Sequence, residues 1–219
     1  MTESCRKALA KIGPRGVVRR QAMLQAATEL FMEKGFERTK LSDVLERSKG
    51  SRATLYEFFG GKEGLLKAMM EQSSIRLWKA IDPVEVEGQP VAEALYLIGL
   101  RFVQAVLHPD AISVSRVLAS EGHRFPEIVK FFNDTGPVRM SGRLADYLTR
   151  TSQAGGLNIQ DAQRATQIFF GMICGGFHYQ QLISAETAIP MEEIEQHVRY
   201  AVRIFLDGTH PPTAKTATA

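Results

Sequence analysis

Apolar residues recur along this chain every three to four positions, and no run alternates convincingly between apolar and polar, so the pattern predicts helices throughout and no strand. Met23, Ala27, Leu30 and Phe31 mark one face of a first helix over about 17–34, closed by Gly35 with Phe36 as its apolar follower. Leu41, Val44 and Leu45 form the inward stripe of a short second helix, capped by Thr39 or by Ser42 and ending near Arg47 or Ser48. Ser51 caps a third helix running to about Phe58, with Leu55 and Phe59 facing inward. The glycines of "GGKEGL" break it and open a fourth, whose Leu66, Met69, Met70, Ser73 and Leu77 share a face. Residues 82–90, "DPVEVEGQP", read as a loop. Further helices are expected over 91–107, 111–122, 126–151, 161–183 and 191–206, with Pro109, Pro126 and Pro190 at boundaries and Gly208 closing the last. An all-α chain follows: a flexible leader over 1–16, a three-helix module over 17–62, a larger helical domain over 63–208 and a mobile tail over 209–219.

Composition narrows the class. Hydrophobic residues make up 44% and charged ones 23% of the 219, an ordinary globular mixture. The longest apolar run, "IFFGMICGGF", is about half of the ~20 residues that a membrane crossing needs, and His178, Tyr179, Gln180 and Gln181 follow it directly, so it reads as a buried helix. No basic flank leads into a long apolar stretch with a cleavage site, so a cytoplasmic location with no membrane partner is expected. Cys5 and Cys174 are far apart and suit reduced thiols better than a disulfide framework.

The net charge of +3 hides an asymmetry: residues 1–80 carry 16 Lys and Arg against 9 Asp and Glu, or +7, and residues 81–219 carry 11 against 15, or −4. A basic N-terminal module on a mildly acidic body suits a polyanion such as nucleic acid, although charge alone also allows a membrane surface.

Two short helices joined by a tight turn and braced by a longer one make a helix-turn-helix, whose second short helix enters the DNA major groove. The residues divide accordingly. Leu55, Phe58 and Phe59 point to the core, and Arg52, Ala53, Tyr56 and Glu57 fall on the other side. Arg52 can reach guanine O6 and N7, Ala53 can touch a thymine methyl, and Thr54 can bond a phosphate or base edge. The Tyr56 hydroxyl can meet a phosphate. Lys62, with the N–H groups opening the fourth helix, makes a second phosphate anchor, and Lys40 and Lys49 add backbone charge. Each residue taken singly also has a bland role: Ser51 as a cap, Tyr56 as rim packing, the lysines as solvated charge.

Their order carries more than any one of them. The stretch "RRQAMLQAATELFMEKGFERTKLSDVLERSKGSRATLYEFFGGKEGLLKAMM", about residues 19–70, resembles the N-terminal domain of the tetracycline-repressor-type (TetR) transcriptional regulators. The most specific matches are "AATELF", "KGFERT" and "SRATLYEFFGGKEGL". The resemblance implies that Thr39, Ser51, Tyr56 and Lys62 hold phosphates and that Arg52, Ala53 and Thr54 face bases. It also implies a homodimer on a palindromic operator, and release when a small-molecule effector binds the C-terminal domain. The chain departs from the family pattern in the turn, where Lys49 stands in place of a glycine and Gly50 in place of an apolar residue; Ala53 also replaces a frequent glycine. A left-handed conformation at a non-glycine costs ~1–2 kcal/mol. Either the turn shifts by one residue or Lys49 carries that strain.

The remainder is similar to the C-terminal domain of multidrug-efflux-type regulators of the same family. Phe102, Val106, Arg116, His123, Phe131, Phe132, Met140, Phe170, Cys174 and Phe177 are candidates to line an effector cavity, against the competing role of plain core. "RVLASEGHRFPE" gathers Arg116, Glu121, His123 and Arg124 near apolar neighbours, as a salt-bridged seam or as ligand-orienting groups. Gly171, Gly175 and Gly176 allow close approach of another backbone and, with the last helix, a dimer seam; packing within one chain competes.

Two further classes remain to be separated. Cys174 and His178, four apart, have a spacing that could serve a metal or activate a thiol, but no other ligand is adjacent, and no phosphate-binding glycine loop or HExxH sequence is present, so no enzyme, metal or cofactor is expected. The third class keeps the fold and makes the N-terminal bundle a protein-interaction module, against which the +7 charge, Tyr56 and Lys62 argue.

Overall fold

The computed structural model of the chain describes residues 13–81, 88–135, 137–184 and 188–209, with 77–81, 135 and 137–140 described by backbone alone. Among these residues there are eleven helices and no strand: α1 (Pro14–Lys34), α2 (Leu41–Ser48), α3 (Arg52–Phe59), α4 (Lys62–Ile81), α5 (Val91–Val106), α6 (Pro109–Glu121), α7 (Pro126–Thr135), α8 (Pro137–Gln153), α9 (Ala162–Cys174), α10 (Phe177–Ile183) and α11 (Met191–Thr209). They form two compact units, Met1–Arg76 with His108–Gly136, and Leu77–Leu107 with Pro137–Ala219. The stretch 108–136, which the sequence assigns to the larger domain, thus packs with the N-terminal helices.

In the first unit α1 is the spine. Its buried Met23, Leu24, Ala27, Leu30 and Phe31 meet Val44 of α2, Leu55 and Phe59 of α3, Leu65, Leu66, Met69 and Met70 of α4, and Val114, Val117 and Ile128 of α6 and α7. Each large apolar side chain removed from water here contributes about 1.5–3 kcal/mol before conformational entropy is counted. Charge fixes the same arrangement at the rim: Arg47 makes a two-pronged pair with Glu33, 2.6 and 2.9 Å, and Lys34 meets Asp43 at 3.1 Å. Arg20 of α1 lies over the Phe59 ring at 5.0 Å. At Gly64 an added Cβ would collide with the Phe59 carbonyl, so the end of α3 rests directly on the first turn of α4.

The second unit is built around α9, which packs on α5, α8 and α11. Its core joins Leu95, Phe102 and Val103, Leu144 and Leu148, Phe169 and Ile173, and Val198, Val202 and Phe205. No single helix among the described residues is long and apolar enough to cross a membrane.

Several boundaries differ from the sequence reading. α1 begins at Pro14, because a proline at the first helical position needs no N–H partner, so the expected leader loses three residues to the helix; positions 1–12 lie outside the described residues. α11 runs through Gly208 to Thr209, whose hydroxyl donates to the Phe205 carbonyl at 2.8 Å, and positions 210–219 lie outside the description. The helix expected over 126–151 is divided into α7, ending at Thr135, and α8, starting at Pro137; position 136 lies outside the described residues. The one expected over 161–183 stops at Cys174, where Gly175 takes φ 48 and ψ −139, far from helical values.

Candidate nucleic-acid interface

Ser51 caps α3: its hydroxyl oxygen accepts from the Thr54 N–H at 3.2 Å and lies 2.8 Å from the Thr54 hydroxyl. This cap starts α3 so that Leu55 and Phe59 are buried and Phe58 half-buried, while Arg52, Ala53, Tyr56 and Glu57 stand exposed. Tyr56 is 46% exposed, a Cβ added at Gly61 would lie 3.9 Å from its ring, and Arg52 reaches over it at 6.0 Å. A cation stacked along its own helix at i, i+4 keeps its donors pointed outward.

The turn before α3 resolves the choice posed by the sequence. Lys49 adopts φ 51 and ψ 37, and its N–H and that of Gly50 close the end of α2 on Glu46 and Leu45, at 3.4 and 3.0 Å. The register is therefore unshifted and Lys49 carries the left-handed conformation. Gly50 has an ordinary negative φ, and its need is spatial: a Cβ there would overlap the Met23 methyl and come within 3.1 Å of the Ser48 hydroxyl.

Two expected anchors are placed differently. Thr39 neither caps α2 nor faces outward. It is 1% exposed, with its hydroxyl 2.8 Å from the Gly35 carbonyl and 3.1 Å from that of Leu30, so it clips the chain to the end of α1. Ser42 does not cap either. Lys40 occupies that position, and Asp43 accepts from its N–H at 3.4 Å; the Lys34 ammonium and this backbone bond hold the Asp43 carboxyl below its ordinary range. Lys62 is half-buried and turned inward, donating to the Glu37 carbonyl at 3.0 Å with its ammonium 4.4 Å from the Phe36 ring centroid; burial lowers its pKa. Lys40, Lys49 and Arg52 are exposed. Sequence reasoning missed the contacts of Met23 with Gly50 and Arg47 with Glu33, since partners 14 or more positions apart leave no local signal; it also missed that of Gly64 with Phe59, only five apart, for which the glycine inside a helical pattern was the available hint.

The effector candidates divide between the units. Phe102 stacks on Phe170 at 4.2 Å, Phe177 meets His197 edge-on, and Val106 and Cys174 pack on the same core of the second unit. Arg116, Phe131 and Phe132 are half-buried in the first unit, where His123 is exposed. The side chain of Met140 lies outside the description. An open cleft of about 290 Å³ in the second unit, lined by Tyr96, Arg199, Val202, Arg203 and Leu206 among others, includes none of the candidates. Cys174 and His178 do not share a helix, because the chain breaks at Gly175 and Gly176, and burial pushes the Cys174 thiol up to about 12, which leaves it a packing group. Gly171, Gly175 and Gly176 are exposed, and a Cβ at Gly171 or Gly176 would meet nothing within 4 Å, whereas at Gly175 it would crowd His197.

With this geometry in hand, comparison with known proteins is specific. Residues 23–69 match the domain of bacterial regulatory proteins of the tetR family, and residues 93–208 match the C-terminal domain of AefR-like transcriptional repressors. The HTH-type transcriptional regulator YvkB of Bacillus subtilis (strain 168) is 25% identical over 188 residues, covering 85% of this chain and 94% of that protein. A TetR-family regulator from Mesorhizobium loti MAFF303099 shares the fold at a TM-score of 0.79 and 20% identity, over 90% of this chain and 99% of that one. The flavonoid-responsive regulator FrrA superposes at a TM-score of 0.72 with 26% identity, over 89% and 98%. These relatives are regulators and not enzymes. Since one domain match alone spans more than half of its length, the chain belongs to the TetR family of transcriptional regulators and carries that family's DNA-binding domain.

Proposed function

We propose that the chain is a repressor that binds a palindromic operator as a homodimer in the cytoplasm and is released by a small amphipathic molecule. The observation that carries the reading is the two-sided α3, whose buried Leu55 and Phe59 leave Arg52, Ala53 and Tyr56 outward for the groove. Arg52, Ala53 and Thr54 are assigned to bases, and Ser51, Tyr56, Lys40 and Lys49 to phosphates. Lys62 supports the interface from behind, and Thr39 holds the approach to α2.

The dimer is assigned to an apolar face of the second unit. Ile168, Tyr179, Ile183, Tyr200 and Ile204 of α9, α10 and α11 are each 45% exposed or more, and Gly171 beside Ile168 leaves room for a facing helix. A palindromic operator asks for two recognition helices about 34–36 Å apart, one turn of duplex. The effector is assigned to the helices of the second unit that bear Phe102, Val106, Phe170, Cys174 and Phe177. Flavonoid responsiveness in FrrA supports a response to a small ring-bearing molecule of similar character. A coupling of ~1–3 kcal/mol would weaken operator binding roughly 5- to 150-fold.

Selection of bound duplexes from a random pool tests the whole reading. A palindrome is expected, with Arg52→Ala changing the ranking of sequences and Tyr56→Phe weakening all duplexes alike. A pool that stays unselected at low salt would overturn it.

A further inference from the structure

The reading of α3 leaves unused the charged corner between α6 and α7. There the Arg124 N–H bonds the Glu121 carbonyl at 2.9 Å and the Phe125 N–H bonds that of Gly122 at 3.2 Å, closing a tight turn. The turn directs the Arg124 guanidinium at two carboxylates, that of Glu121 at 3.2 Å and that of Glu37, which lies between α1 and α2. Beside it Phe125 packs edge-on against Phe36, with centroids 5.8 Å apart. From α4, Lys62 donates to the Glu37 carbonyl and sits over the Phe36 ring. Phe36 and Glu37 are therefore gripped twice, by the first residue of α4 and by the α6–α7 corner. Two residues on, Thr39 ties the chain to α1, and α2 starts at Leu41.

We propose that Arg124 and Glu37 are positioning residues for DNA binding: the pair fixes the segment that launches α2 and, through the turn at Lys49, α3, without touching the duplex. The proposal rests on the DNA-reading role of α3. Both side chains are 49% exposed, so the pair adds little to global stability. What it supplies is placement, and base readout demands side chains held to within about 0.5 Å.

A charge swap on the full chain separates this from an idle surface pair. Affinity is measured for a duplex selected by the wild type and for a random duplex, and their ratio cancels the change in overall charge. Arg124→Glu and Glu37→Arg should each lower that ratio about 5- to 10-fold, and the double substitution should restore it to within about twofold. Urea midpoints should move little throughout. A ratio untouched by either single change, or one that falls further in the double, would overturn the positioning role while leaving DNA recognition standing. A wild type that prefers no duplex would overturn both.

Discussion

The contact of Gly50 with Met23 can be tested as a shared volume. Met23 is fully buried in α1, and its methyl fills the space that a side chain at position 50 would occupy. Gly50 has a negative φ, so a valine is acceptable to the backbone and is opposed chiefly by that overlap, with the Ser48 hydroxyl 3.1 Å away as the next contact. Overpacking of this kind costs about 1–3 kcal/mol, and Met23→Ala, which empties a closed site, costs about 2–5 kcal/mol. Independent effects would sum to about 3–8 kcal/mol. If the two side chains compete for one space, Gly50→Val with Met23→Ala should be milder than that sum by about 1–3 kcal/mol, because the valine refills what the alanine vacates. Urea titration followed by helical circular dichroism gives the four free energies, with the m-value checked for constancy. Additivity to within about 0.5 kcal/mol would refute the shared volume and return the requirement at position 50 to the backbone.

Two further outcomes follow from the same unit. Lys49→Asn should raise stability by about 0.5–1 kcal/mol, since asparagine tolerates the left-handed conformation; it should also make the salt dependence of duplex binding shallower by about one unit per lost phosphate contact, both read by melting and by salt titration. His108 caps α6 by accepting from the Asp110 N–H at 3.2 Å, beside Arg76, and burial followed by the Arg76 charge lowers its pKa. The folded state therefore disfavours its proton, so its contribution is complete above about pH 6.5 and is lost as pH falls toward the folded pKa. Melting between pH 7.5 and 5 should show stability falling, and His108→Asn, which keeps a capping acceptor, should flatten part of the fall while His178, also lowered by burial, retains its share.

Much of the first unit was legible because short-range rules agree there. Periodicity placed Leu55 and Phe59 inward, the serine at position 51 capped as a serine does, and the glycines at 60 and 61 ended α3. The cap of α2 misled because Thr39 has the right chemistry at the wrong place: one residue too early, its hydroxyl found the carbonyls of Leu30 in α1 and of Gly35 just past its end instead. Breaks in the later helices were written in "TGPV" and "CGGF", but apolar spacing continues on both sides of each, and spacing alone joins them. In the second unit an apolar stripe cannot separate core from cavity. Phe102 and Phe170 stack on each other, and an open cleft lies beside Tyr96 and Arg199, whose guanidinium rests 3.8 Å from the tyrosine ring.

The "KG" turn joins these levels. A glycine at position 49 would relieve the left-handed strain, and an apolar residue at position 50 would pack the turn from below; here neither is present. The methyl of Met23 does the packing from α1, which frees position 50 to be glycine. Position 49 carries a lysine in the left-handed conformation, exposed at the head of α3. The two substitutions are thus one exchange: packing moves to α1, and the turn gains charge. Lys62 fits the same division, since it faces Phe36 and Glu37 and braces the turn into α2 from behind, while Lys40 and Lys49 stay exposed.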